Sequence, residues 1–177
     1  LILGIIAVVA LTIHGSNWLI LKLTGELPNK LRRVNQRAAY VLLGLIVLSI
    51  VAWKYVKPDS LDNFYQYPWL WVFPVLAISG LVGIVFINKM KKDWQPFICS
   101  TLFIVGSFSS TLAALFPVLL PSTNSETPHL TIYNAAAEQY GLEIGLIWWP
   151  IAFTLVVLYF WFLHKKFGGK LDDMEYH

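Results

Sequence analysis

A chain of 177 residues with 57% hydrophobic and 13% charged side chains lies outside the composition of soluble domains, where about a quarter of residues are charged. The formal charge of +3 is small and confined to a few connecting segments, which excludes a nucleic-acid surface. One cysteine, Cys99, sits in an apolar stretch; it can form no intrachain disulfide, and no Cys/His cluster for structural zinc accompanies it.

The chain opens in the apolar run LILGIIAVVALTI, with no basic stretch before it and no cleavage pattern, so it does not read as a signal peptide. A first membrane span is expected over residues 1–22, and a start inside such a run reads as the C-terminal part of a longer protein. Within this span, TIHGSNWLILK places His14 and Asn17 three residues apart, on one helix face. Ionisable groups in hydrocarbon are costly and usually face protein or water, so a neutral imidazole donating from one nitrogen is expected. Three readings follow. His14 and Asn17 join two helices, they contact a haem or quinone, or His14 carries protons. Gly15 beside them would let a neighbouring helix approach closely. A haem with two histidine ligands needs a second deep histidine. His129, His164 and His177 lie in a loop, at a helix end and in the tail, so no haem is expected within this chain alone.

The following segment, TGELPNKLRRVNQR, puts Leu27, Leu31 and Val34 on one helical face, with Pro28 suited to a first turn. A short helix lying on the headgroups is expected there. Four further spans are expected over 38–56, 68–88, 96–120 and 142–163, each near the roughly 20 residues that cross a bilayer. The runs are continuous rather than alternating, so they are helices and not barrel strands. Trp53, Tyr55, Tyr65, Tyr67 and Trp69 gather at one set of span ends, Trp94 and Trp161 at the other. They read as interfacial belts, with a ligand cage as the rival.

In the fourth span, Ser100, Ser107 and Thr111 form a hydroxyl stripe, for packing or for a wet path. Pro117 should end or kink that helix, and Pro74 and Pro150 should bend theirs. Ser79/Gly83 and Gly141/Gly145 have the spacing of close helix contacts. The longest connection, PSTNSETPHLTIYNAAAEQYGLE, has no basic residue. TNSET reads as a turn, and LTIYNAAAEQY as a short helix or re-entrant segment.

Lysine and arginine set the orientation. Lys22, Lys30, Arg32, Arg33, Arg37, Lys89, Lys91, Lys92, Lys165, Lys166 and Lys170 fall on one side, and only Lys54 and Lys57 on the other. The basic loops and the C-terminus are expected in the cytoplasm, with residue 1 outside. All ten acidic residues lie in loops or near helix ends. No phosphate loop, metalloprotease motif or nucleophile triad is present, so neither a catalytic residue nor a metal ligand is expected.

Two stretches resemble a known family. HGSNWLILKLTGEL, residues 14–27, matches a pattern of His or Gln, Gly, a small residue, an aromatic and Leu that runs into Thr-x-Gly-Glu-Leu. ALFPVLLPSTNSETPHLTIYNAAA, residues 114–137, carries Phe116, Pro117, Pro121 and Ser122, then Leu130, Thr131, Tyr133 and Ala135. Together they resemble the C-terminal half of subunit II of cytochrome bd-type quinol oxidases, in order and spacing over nearly the whole chain. The resemblance implies a bacterial inner-membrane complex that oxidises quinol and reduces dioxygen to water. Haems b and d and the quinol site belong to the haem-bearing subunit I, the expected heterodimer partner. Subunit II supports assembly, contributes in some members to proton or oxygen access, and usually carries no haem. The polar motifs of the family's N-terminal half have no match here, and some members carry glutamine in place of His14.

The expected fold is therefore an all-α, polytopic transmembrane helix bundle of about five spans, a single domain over residues 1–177. The expected role is that of a non-haem supporting subunit, not catalytic by itself, in contact with membrane lipids and, through the complex, with quinol. The rivals are half of a secondary transporter and a membrane b-type cytochrome using His14.

Overall fold

The computed structural model describes residues 1–56, 61–86, 92–122 and 128–169. Lys57, Lys89, Lys91, Lys170, His177 and the TNSET turn lie outside the described residues. The chain divides into two compact units, Leu1–Leu115 and Phe116–Gly169.

In the first unit, α1 (Ile2–Lys22) has 21 residues, a length of about 32 Å. It ends where Leu23 turns extended at φ −104 and ψ 156. Gly25 follows at φ 79, a left-handed conformation that glycine reaches without a Cβ clash. Helix α2 (Leu27–Val56) then begins, with Pro28 in its first turn. The expected surface helix and the second span are thus one helix of 30 residues, not two elements. No proline or glycine interrupts residues 34–38, and Asn35, Ala39 and Leu42 form one buried stripe through the junction.

The expected span 68–88 resolves into a short helix α3 (Asp62–Gln66), a 3-10 turn (Pro68–Trp71) and α4 (Val72–Val85). Asn63 on α3 donates from Nδ2 to the Ala113 carbonyl at 2.9 Å, tying the turn to α5 (Trp94–Leu115). Helix α5 stops short of the expected boundary at 120. Residues before proline are pushed out of the helical region, and Pro117 comes two residues after Leu115.

The tightest packing is between α4 and α5, while α1 lies against α2 and α5, and α2 against α4. Glycine makes the α4–α5 contact. A Cβ built at Gly80 would overlap the backbone nitrogen of Phe103 and lie 2.6 Å from the Cys99 carbonyl oxygen. One at Gly106 would overlap the nitrogen of Ala77 and lie 2.9 Å from the Phe73 carbonyl oxygen. Gly15, by contrast, has no neighbouring atom within 4 Å of such a Cβ, so none of the described helices makes the close approach expected there. Ala10, Ile13, Ala39, Leu42, Leu81, Ile84 and Phe103 make the apolar core.

In the second unit, β1 (Val118–Leu120) pairs antiparallel with β2 (Leu130–Thr131), Val118 opposite Thr131 and Leu120 opposite Leu130. The Ser122 backbone N–H donates to His129 Nδ1 at 2.9 Å. The helix expected in LTIYNAAAEQY does not form. Asn134 takes the Thr131 backbone N–H on Oδ1 at 2.7 Å and donates from Nδ2 to the His129 carbonyl at 2.9 Å, a side-chain turn that competes with helix. Helix α6 (Gln139–Lys166) follows, with Pro150 inside it.

Among the described residues, five helical segments are long and apolar enough to cross a bilayer: Ile2–Lys22, Leu27–Tyr55, Pro68–Val85, Trp94–Leu115 and Gln139–Lys166. The fold is all-α and multi-pass. Lysine ammonium groups lie over tryptophan rings at three span ends: Lys22 over Trp18 at 5.2 Å, Lys92 over Trp94 at 5.9 Å and Lys165 over Trp161 at 5.2 Å. Tryptophan and lysine side chains both favour the headgroup level of a bilayer.

Candidate functional site

The described polar side chains that are buried are Asn17, Asn35 and Ser100, with exposures of 0%, 2% and 1%. One helix supplies each: α1, α2 and α5. Asn17 is the hub. Its Nδ2 donates to the Pro96 carbonyl at 3.0 Å and to Ser100 Oγ at 3.2 Å, and its Oδ1 accepts from Asn35 Nδ2 at 2.9 Å. Only an amide can give and take in this way from one position. The Pro96 carbonyl accepts only, which also fixes which end of the Asn17 amide is nitrogen.

His14, one turn along α1, places Nδ1 2.9 Å from Ser100 Oγ. Its ring stacks on Phe97, centroids 4.7 Å apart at 26°. Trp18 tilts onto the same phenyl ring at 5.3 Å. Ser100 Oγ in turn donates to the Phe97 carbonyl at 2.9 Å. Measured from Lys22, Asn17 is five residues and His14 eight residues into α1, depths of about 8 and 12 Å.

Nearer the basic end, Arg32 Nη2 on α2 meets Asp93 Oδ1, ahead of α5, at 2.7 Å, with side chains 13% and 30% exposed. That pair closes the same two helices one turn from Asn35. Every fully buried side-chain nitrogen or oxygen among the described residues has a hydrogen-bond partner.

His14 and Asn17, singled out from the sequence, are therefore in one site. They do not bond each other; both reach Ser100 on α5. Of the hydroxyl stripe, Ser100 alone bridges helices in this cluster, while Thr111 bonds the Ser107 carbonyl within its own helix at 2.9 Å. Sequence reasoning missed Asn35 and the Arg32–Asp93 pair. The signal for Asn35 is the helical spacing of Asn35, Ala39 and Leu42, obscured because the arginines around Asn35 read as the polar face of a helix lying on the headgroups.

Chemically, the cluster holds three helices together. Its amides neither gain nor lose protons near neutral pH, and no group of three His, Cys, Asp or Glu side chains gathers among the described residues. His14 is the sole histidine described in the first unit.

The chain has relatives among known sequences. The family model of cytochrome bd terminal oxidase subunit II matches residues 1–167. The chain belongs to this family. It is 26% identical over 198 residues to a probable cytochrome oxidase subunit 2 of Haemophilus influenzae, a match covering 97% of this chain and 52% of the relative. To the cytochrome bd-I ubiquinol oxidase subunit 2 of Escherichia coli it is 24% identical over 205 residues, covering 99% of this chain and 54% of the relative. The cytochrome bd ubiquinol oxidase subunit 2 of Bacillus subtilis is 24% identical over 133 residues, 74% of this chain and 38% of that one. The chain spans about half the length of the first two relatives. The matched range, residues 1–167, spans the hub residues His14, Asn17, Asn35 and Ser100.

Proposed function

We propose that this chain is a non-haem supporting part of a respiratory quinol:oxygen oxidoreductase, docked to a haem-bearing subunit in a bacterial cytoplasmic membrane. Haems b and d then belong to that partner, and quinol is met through the complex. The observation that carries this reading is the family match over residues 1–167. The site agrees with it in kind: Asn17, Asn35 and Ser100 are used on one another and on the backbone, which suits holding helices in register rather than turning over a substrate. A contribution to proton or oxygen access is part of the proposal, and in the described residues it would fall to the α1–α5 face where His14 lies. The basic span ends, with their lysine–tryptophan pairs, face the cytoplasm in this reading.

A reduced-minus-oxidised visible spectrum tests it, recorded on the isolated chain and on the complex purified from native membranes through a tag on this chain. The expected result is a colourless chain and a complex with b- and d-type bands. A colourless complex would remove the oxidase reading. A haem band in the isolated chain that His14→Ala abolishes would make this chain a cytochrome in its own right.

A further inference from the structure

Ser100 leaves His14 Nδ1 one hydrogen-bonding role. A hydroxyl has one proton and two lone pairs. Ser100 gives its proton to the Phe97 carbonyl at 2.9 Å. One lone pair receives Asn17 Nδ2 at 3.2 Å. The other faces His14 Nδ1 at 2.9 Å, and to bond there Nδ1 must itself carry a proton. The neutral ring then has its bare lone pair on Nε2, an atom with no hydrogen-bond partner among the described residues.

We propose that His14 is an intramembrane proton-accepting site that works through Nε2, with Nδ1–H locked onto Ser100. Protonation of Nε2 leaves the Nδ1–H···Ser100 bond as it was, so the ring takes a proton without breaking the three-helix cluster. Phe97 adds to this. Its face lies 4.7 Å from the imidazole centroid, within the roughly 6 Å at which an aromatic face attracts a cation.

The route of the proton follows from the same contacts. Behind Ser100 stand two buried amides, Asn17 and Asn35, which do not relay protons. Exchange therefore takes place at the half-buried outer side of the ring and not through the core. Other ionisable groups on the neighbouring helices are accounted for. Arg32 is paired with Asp93, Lys22 lies over Trp18, Arg33, Arg37 and Tyr40 are exposed on α2, and Cys99 is a half-buried thiol; none bonds the imidazole. The partner that fits is a proton donor arriving from outside this unit, a water or an acidic hydroxyl. This inference depends on the α1–α5 geometry and not on the oxidase reading.

Nitrogen-15 solid-state NMR of the histidine-labelled complex tests it, because protonated and bare ring nitrogens have well-separated shifts. Subtracting the spectrum of His14→Asn, or of His14→Gln if the first fails to assemble, isolates the His14 signals. At about pH 8 Nδ1 should be protonated and Nε2 bare. Toward about pH 5, the range of histidine chemistry, Nε2 should become protonated while Nδ1 keeps its hydrogen-bonded shift. In Ser100→Ala, Nδ1 should lose that hydrogen-bonded shift. The reverse tautomer at pH 8, in which Ser100 gives its proton to Nδ1, would overturn the proposal. So would an Nε2 signal that stays bare down to pH 5 in folded complex.

Discussion

Asn17 makes three hydrogen bonds to two helices, while His14 makes one and is only partly buried. Their removal should differ accordingly. Asn17→Leu leaves Asn35 Nδ2 without its acceptor in a dry site, and an orphaned buried group costs about 1–3 kcal/mol. His14→Leu leaves Ser100 with both its other bonds, so its cost should be under about 1 kcal/mol, near the average for hydrogen bonds inside membranes. Thermal unfolding in detergent should rank the variants in that order, and equal melting temperatures would contradict the hub role. At this scale the sequence is a good but incomplete guide. A polar residue in an apolar run stands out, which is why His14 and Asn17 are legible. Asn35 is as deeply buried but follows two arginines, and no single-residue signal separates it from the polar face of a surface helix.

Among elements, the α4–α5 pair has the least room. Backbone atoms of each helix sit where a side chain on Gly80 or Gly106 would begin, so neither helix can absorb a methyl by rotating a side chain. Gly80→Ala and Gly106→Ala should each destabilise the bundle by about 1–3 kcal/mol, the usual cost of overpacking. Gly15→Ala, with open space around it, should be neutral or slightly stabilising, since alanine favours helix. Urea or thermal denaturation of the three variants checks this. Spacing in the sequence points to Ser79/Gly83 and does not single out Gly80, one position along from Ser79, because small-residue spacing shows that a close face exists and not which rotation of the helix meets its neighbour. The Arg32–Asp93 bridge gives another test. Arg32→Ala, Asp93→Ala and the double variant should yield a coupling of about 1 kcal/mol, and additivity would mean the pair contributes nothing to holding α2 against α5.

For the whole molecule, the expectation concerns sidedness. Cys99 is the sole cysteine, so a Cys99→Ser background allows single cysteines to be placed at Lys30 and at Ser122. A membrane-impermeant maleimide applied to intact cells should label the Ser122→Cys protein and spare the Lys30→Cys protein until the membrane is opened. The opposite pattern would invert the orientation read from lysine and arginine.

Several properties are set by the sequence alone. Charge-free runs of bilayer length leave the backbone no solution except helices that satisfy their own hydrogen bonds, and this decides the all-α fold, the five spans and the membrane setting. Helix boundaries near proline and the headgroup ends marked by lysine and tryptophan are local as well. The tertiary structure decided what depends on rotation and register between helices: that α2 carries Asn35 inward without a break, that Gly80 and Gly106 meet the backbone of the facing helix, and that His14 and Asn17 meet at Ser100. Lipid tails are as apolar as leucine, so burial of apolar surface ranks one helix face no higher than another. The choice falls to shape and to a few hydrogen bonds whose partners lie some 80 residues apart in the chain.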